Sequence, residues 1–543
     1  MSQSADREHG TVAPSAPIRL LRGFATVGGW TLASRVLGFM RDILIAAFLG
    51  SGPVAEAFFV AFRLPNMFRR FFAEGAFNMA FIPLFAKKLE GEGRDAARRF
   101  GEEAMSVLLT ALIALTVIAQ LAMPWFVLAL ASGFDGSDGG ERFDLAVAFS
   151  RVVFPYIVFI SLAALFSGIL NSFGRFAAAA AAPVLLNVVL IAAMLLAHAA
   201  GWEVGPTLSW AVFVAGIAQL ALVALAAGRA GMKLRLRMPR LTRDVRRLIA
   251  LGIPAALAGG VMQINLLVGT QVASYFDGAV SWLWYADRLY QLPLGVVGVA
   301  IGVVLLPELS RRVRAGDAAA SAGAMNRAAE FSLLLTLPAT VAFIALPVLI
   351  TGVLFERGAF TGADTAATAT ALTIYALGLP AFVLQKVIQP AFFAREDTRT
   401  PLNYALVSMV VNIVVAVGGA PVIGYLAAAL GTTLAGWVNL ALLWRGAQRF
   451  GTGVAVDERL AHRWPRILGA SLVMGAIILG LAEAIAAIAP DWRIAGLIVI
   501  VALGALSFAA AAWTLGAMRP GDLRAALRRT PPDRQVPDRQ EPD

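Results

Sequence analysis

Apolar residues in this chain come in runs of about 20, each closed by a short polar break, which is the length a helix needs to cross a hydrocarbon core. Fourteen such runs lie near residues 25–49, 54–85, 104–131, 144–170, 176–198, 206–228, 248–275, 279–307, 329–355, 367–393, 401–418, 422–444, 467–489 and 494–517. The pattern predicts an all-α polytopic membrane protein with fourteen transmembrane helices. Lysine and arginine orient them. With the N-terminus inside, 34 of the 45 fall in the terminal segments and inner loops, three in the outer loops and eight within spans. That bias places both termini in the cytoplasm.

A repeat with an offset of about 224 residues runs through the first twelve spans. Pro83 pairs with Pro307, Pro124 with Pro347, Pro155 with Pro380 and Asn187 with Asn412. Each unit holds six spans, an even number, so the copies share one orientation and a pseudo-twofold axis runs along the membrane normal. The expected organisation is a disordered N-terminus (1–18), an N-lobe (19–228), a basic cytoplasmic linker (229–247), a C-lobe (248–444), two further spans (445–517) and a disordered cytoplasmic tail (518–543). The linker reads as a topology anchor that touches anionic lipid head groups.

Composition agrees: 59% of the 543 residues are hydrophobic and 15% charged, which excludes an ordinary soluble enzyme. A net charge of +11 would suggest nucleic acid in a soluble chain, but the basic residues here lie inside the membrane or flank it, without interleaved aromatics. No nucleic-acid partner is expected. The chain has no cysteine, so disulfides and thiolate metal sites are excluded, and its three histidines (His9, His198, His462) are scattered. Residues 1–18 lack an apolar core, so no cleaved leader is expected.

The chemistry lies in charges placed where lipid should be. The first two spans carry Arg35, Arg41, Asp42, Glu56, Arg63, Arg69, Arg70 and Glu74. One charge at mid-span costs about 2.5–3.5 kcal/mol, so eight must face a protein-lined, wet interior. Glu56, Arg63 and Arg70 recur every seven residues with Glu74 four further on, forming one helical stripe. In the eighth span, Ser281, Arg288 and Gly295 form another line, with Asp287 as a local partner for an arginine. Eight intramembrane cations, including Arg151 and Lys386, face four carboxylates: Asp42, Glu56, Glu74 and Asp287. The surplus is positive and mostly guanidinium, which suits bidentate binding of phosphate or carboxylate. Each feature has a plainer use. The stripe on the second span can pair within its own helix, Asp42 can neutralise Arg41 or Arg35, and Arg151 and Lys386 can snorkel. Trp282, Trp284 and Tyr285 read as packing residues. Prolines in LPN (64–66) and LPL (292–294) free carbonyls and permit bends. An enzyme acting on lipid-linked substrates needs paired carboxylates or histidine, and the charged spans hold no histidine and no paired aspartates.

At ASRVLGFMRD, AEAFFVAFRLPNMFRRFFAEGAF, VSWLWYADRL and FFAREDTRTP the chain resembles the MurJ (MviN) family of lipid II flippases, within the multidrug/oligosaccharidyl-lipid/polysaccharide exporter superfamily. The resemblance spans residues 20–517. It implies a transporter, not an enzyme, that moves the undecaprenyl-pyrophosphate-linked disaccharide-pentapeptide to the periplasmic leaflet. Two six-helix lobes would surround a central cationic cavity and work by alternating access, and the last two spans would form a groove for the lipid tail. The family's cavity arginines fall on Arg35, Arg41, Arg69 and Arg288, with Ser281 beside the last. The aspartate usual before AFF is Glu56 here, and an acidic residue often found three positions after the eighth-span arginine is Gln291. The second change puts acid-dependent gating at that position in doubt.

The expected function is lipid II flipping across the inner membrane. Arg35, Arg41, Arg69, Arg70 and Arg288 bind pyrophosphate and peptide carboxylates, and Arg63 pairs with Glu56 or Glu74. The rival is a related exporter of another polyprenyl-pyrophosphate-linked oligosaccharide. No cofactor or metal is expected. Coupling to sodium or protons, as in some members of the family, has no evident site in the sequence. The expected partners are lipid II, membrane lipids and the cell-wall synthesis machinery, and the expected state is a monomer.

Overall fold

A computed structural model describes residues 17–69, 77–136, 140–488 and 492–518, with backbone alone for 17–25, 77–79, 254–266 and 296–304. No strand occurs among the described residues. The helices of the first half are α1 (Pro17–Leu49), α2 (Pro53–Arg69), α3 (Phe77–Gly91), α4 (Arg94–Leu121), α5 (Met123–Ala131), α6 (Glu141–Val153), α7 (Tyr156–Ser172), α8 (Ala177–Ala200) and α9 (Val204–Arg229). The second half holds α10 (Arg243–Ala273), α11 (Ala279–Arg314), α12 (Ala318–Ala345), α13 (Pro347–Phe355), α14 (Gly362–Phe393), α15 (Arg399–Ile423), α16 (Leu426–Ala447), α17 (Glu458–Ile488) and α18 (Arg493–Thr514). Ten helices among the described residues are long and apolar enough to cross a membrane. The other four predicted spans fall on α1, on α2 with α3, on α10 and on α11; three of these carry Arg35, Arg41, Arg63, Arg69 and Arg288.

Proline decides where long apolar runs break. The third predicted span stops at Ala122, ahead of Pro124, and resumes as α5. The ninth stops at Leu346, ahead of Pro347, and resumes as α13. A proline has no N–H to give to the preceding turn, so a new helix starts with it in the first turn. The two interrupted segments match: α4 and α12 are each 28 residues long, and α5 and α13 are each nine. Pro155 likewise separates α6 from α7. Its counterpart Pro380 lies inside an unbroken α14, and Pro65 lies inside α2, where the Asn66 side chain donates to the Phe62 carbonyl at 2.7 Å.

The chain forms two compact units. The first holds residues 1–285, 355–364 and 415–428; the second holds 286–354, 365–414 and 429–543. The boundary cuts α11 between Tyr285 and Ala286. In the first unit the core is aromatic: Phe58, Phe59, Phe81, Phe85, Phe134, Phe154, Tyr156 and Tyr285 are all fully buried. In the second, α17 crosses α12 where Gly475 lets Val341 approach, and α18 crosses α17 where Gly504 lets Ile478 approach.

Candidate functional site

The charged end of α1 packs on α8. Arg41 and Asp42 are both buried, and the guanidinium lies on the carboxylate with Nη2 2.7 Å and Nε 3.1 Å from Oδ1. Arg41 Nη1 donates to Asn187 Oδ1 at 2.9 Å, and Asn187 Nδ2 returns a bond to the Ser34 carbonyl at 3.0 Å. Gly38 leaves the space that Asn187 fills. The polar groups of Arg41 are therefore turned toward protein, as burial of an ion requires. Arg35, less than two turns earlier, is exposed and makes no hydrogen bond or ion pair among the described residues. The two arginines of α1 differ in kind: one is built in, the other is presented.

On α2 the stripe of charges separates by depth. Glu56 is 1% exposed and takes its cation from outside the helix: Arg142 Nη1, at the start of α6, lies 3.1 Å away. Its other oxygen accepts the Val280 N–H at 3.0 Å, at the first turn of α11, where a carboxylate is favoured by the exposed amides and the helix dipole. Arg142, also 1% exposed, reaches Asp277 with Nη2 at 2.6 Å and covers the Phe134 ring. The expected Arg63–Glu56 pair is absent. Arg63 is half-buried and lies 5.4 Å above the Trp284 ring, nearly two turns along from Glu56. Arg69 is half-buried in the last turn of α2. Arg70 and Glu74 lie outside the described residues.

Around Glu56 the ends of several helices are joined within the first unit. Asp364 accepts from Ser51, from Trp282 Nε1 at 2.9 Å and from Thr361 N at 2.8 Å. The Tyr285 hydroxyl donates to the Gly50 carbonyl at 2.9 Å, and Ala359 N donates to the Ala47 carbonyl at 2.8 Å. Gly50 has φ +63, and a Cβ there would meet the Ala359 carbonyl, so both conformation and space require glycine. Trp284 stacks on Phe59 with centroids 4.7 Å apart, and the Ser274 hydroxyl accepts Gly133 N at 3.0 Å. These contacts form a seam between the α1–α2 turn, the α5–α6 connection, the α10–α11 turn and the segment before α14. Charge pairing and glycine spacing in the sequence hinted at none of its partners Arg142, Asp277 and Asp364, because each comes from a loop or helix end far along the chain.

The remaining candidates lie on α11. Ser281 is fully buried and its hydroxyl finds no hydrogen-bond partner among the described residues. Arg288 is half-buried. Asp287 beside it accepts a bond from Gln291 Nε2, so the glutamine that replaces an acid in the resemblance is tied to the neighbouring carboxylate. Arg288 belongs to the second unit, whereas Arg35, Arg41, Arg63 and Arg69 belong to the first. No group of three or more metal-ligating side chains occurs among the described residues.

The profile of the family described as "Lipid II flippase MurJ" matches residues 45–499, most of the chain. The chain belongs to the MurJ family. A MurJ relative in Rhizobium tropici, described as "Probable lipid II flippase MurJ", is 45% identical over 524 residues, covering 94% of this chain and 97% of the relative. One in Rhizobium meliloti, with the same description, is 50% identical over 468 residues, covering 84% and 86%. A solved structure described as "Lipid II flippase MurJ, inward closed conformation" superimposes with TM-score 0.76 at 25% identity, over 92% of this chain and 99% of that one. A multidrug resistance MATE family transporter in an inward-facing conformation superimposes with TM-score 0.66 at 15% identity, over 78% and 97%, and so shares the fold. MurJ is a family of transporters rather than enzymes, and this chain, with ten apolar helices among its described residues, is a multi-pass protein of the bacterial inner membrane.

Proposed function

We propose that this protein carries lipid II from the cytoplasmic to the periplasmic leaflet by alternating access, with intramembrane arginines as the pyrophosphate site. Fourteen spans with both termini in the cytoplasm put the seam around Glu56 on the periplasmic side. Spans one to six and seven to twelve form two lobes related by an axis along the membrane normal, and the matched lengths of α4 and α12 and of α5 and α13 support this. So does the Glu56–Val280 bond. Those residues are 224 apart, the offset of the repeat, and two equivalent positions touch only near the axis that relates them.

The observation that carries alternating access is the seam itself. The outer ends of both lobes are tied through Glu56, Arg142, Asp277 and Asp364, which makes a closed periplasmic gate. Opening outward breaks the bond from the Val280 N–H to Glu56 and the ion pair between Arg142 and Asp277, while the Glu56–Arg142 pair stays within the N-lobe. Substrate contact falls to Arg35, Arg69, Arg70 and Arg288, with the unsatisfied Ser281 hydroxyl as a further donor. Arg41, already bonded to Asp42 and Asn187, fixes the α1 end that presents Arg35. Moving a cation-rich site through the field couples the cycle to membrane potential, about 2.3 kcal/mol per charge per 100 mV. The last two spans shelter the lipid tail. The protein acts as a monomer beside the cell-wall synthesis machinery.

Depletion in the host, followed by an impermeant probe of outward-facing lipid II, tests this. Accessible lipid II should fall on depletion and return with wild type but not with Arg35→Ala or Arg288→Ala at equal membrane levels. Unchanged accessibility with normal total lipid II would mean another polyprenyl-pyrophosphate cargo. Full rescue by both variants would remove the arginines from the site.

A further inference from the structure

Between α9 and α10 residues 232–242 carry no regular structure, yet they are firmly held. Arg235 N donates to Glu102 Oε1 at 3.1 Å and Arg237 N to Ser106 Oγ at 3.1 Å, so the chain lies across the start of α4 through amides two residues apart, the repeat of an extended segment. Glu102, 2% exposed, also takes the Arg237 guanidinium. Thr242 donates to Glu103 at 2.8 Å and caps α10, and Asp244 pairs with Lys88 at 2.9 Å. The sequence over this stretch, MKLRLRMPRL, alternates apolar and basic. The apolar edge begins inside the protein, with Met232 2% exposed and Leu234 seated over Gly101. It then continues into the open: Leu236, Met238 and Leu241 are 66%, 79% and 57% exposed. On the other edge Arg235, Arg240 and Arg243 are exposed, and their side chains make no bond among the described residues.

We infer that this strap docks on an anionic lipid surface beside α9 and α10, with Leu236, Met238 and Leu241 among the acyl chains and Arg235, Arg240 and Arg243 on lipid phosphates. Charge and place choose the occupant. The only acid in residues 229–247 is Asp244, which is occupied by Lys88, so the exposed edge is purely cationic. Both ends of the strap run directly into helices read as membrane spans, so it lies at the bilayer surface, where exposed apolar side chains have acyl chains to enter. Glu102 and Ser106 hold the strap in shape beforehand, so little ordering remains to be done on docking. This lipid contact is separate from the cargo site and rests only on the reading of α9 and α10 as spans.

Because the chain has no cysteine, Met238→Cys gives a single labelling site. The full-length protein, labelled there with an environment-sensitive fluorophore, is placed in phosphatidylcholine nanodiscs with and without phosphatidylglycerol. Quenching by acrylamide should fall about threefold or more in the anionic discs. Adding Arg235→Gln, Arg240→Gln and Arg243→Gln should restore it, with Arg237 and Glu102 left to hold the strap. Equal quenching in both discs overturns the inference, whether the label is open in both (a solvated loop, or a face for a protein) or shielded in both (apolar contact without charge recognition). Shielding that survives the triple substitution overturns it too. No lipid II is present, so the outcome is independent of the cargo.

Discussion

Arg35 and Arg41 share a helix and a charge but not a task. Arg41→Ala takes the guanidinium from the buried Asp42 carboxylate and removes the bond to Asn187, which should cost about 3 kcal/mol of stability. Arg35→Ala removes an exposed side chain with no bond among the described residues and should change stability by less than about 0.5 kcal/mol while abolishing lipid II export. Thermal unfolding in detergent, set beside export in cells, separates the two. An unstable Arg35→Ala protein would reverse their roles. Arg142→Ala should destabilise by about 3–5 kcal/mol, because Glu56 would keep only its amide bonds. Adding Glu56→Gln should recover much of that loss, since the stranded charge is gone; no recovery would mean that Arg142 acts through packing on Phe134. The sequence made the residue types legible, because charges inside apolar runs stand out. It did not disclose their partners. Seven-residue spacing put Glu56 and Arg63 on one stripe, but two turns of helix hold them about 10 Å apart, beyond the reach of an ion pair. Arg142 sits in a polar stretch where an arginine attracts no notice.

At the scale of elements, the repeat sharpens an oddity. Helix α7 ends with Gly174 at φ +67, where Arg175 N bonds back to the Leu170 carbonyl at 2.9 Å. Helix α14 ends the same way, with Asp397 N on the Phe392 carbonyl at 3.0 Å, but the left-handed position is Glu396 at φ +61. Both are left-handed C-terminal caps that favour glycine. Glu396→Gly should therefore stabilise by about 1 kcal/mol and Gly174→Ala should destabilise by a similar amount, as read by denaturant or thermal midpoints. Opposite signs would mean that side-chain contacts at these caps outweigh backbone strain. The apolar runs read straight through Pro124, Pro155 and Pro347, where the helices in fact restart, because run length registers hydrophobicity and not the missing N–H. Pro380 and Pro65 interrupt nothing, because the surrounding helices hold α14 and α2 together and Asn66 takes up a carbonyl nearby. Tertiary packing overrides the local signal there, and local sequence carries no trace of it.

For the molecule as a whole, run length carried the all-helical, membrane-spanning character of the chain, since it follows from the membrane rather than from contacts. The division into compact units was not legible. Residues 355–364 and 415–428 group with the first unit because Ala359 bonds to Ala47 of α1, Asp364 to Ser51 of the α1–α2 turn, and Tyr425 packs on Trp282 at the start of α11, a consequence of one conformation rather than of the repeat. This grouping should therefore dissolve when the protein opens outward. The most direct measurement is a lock. Ser51→Cys with Asp364→Cys, joined by a short reducible bis-thiol cross-linker, ties the seam shut in a chain with no other cysteine. Lipid II export should stop on cross-linking, return on reduction, and be unchanged by the reagent when either cysteine is present alone. Export that continues at the wild-type rate through a fully cross-linked seam would contradict alternating access at this gate.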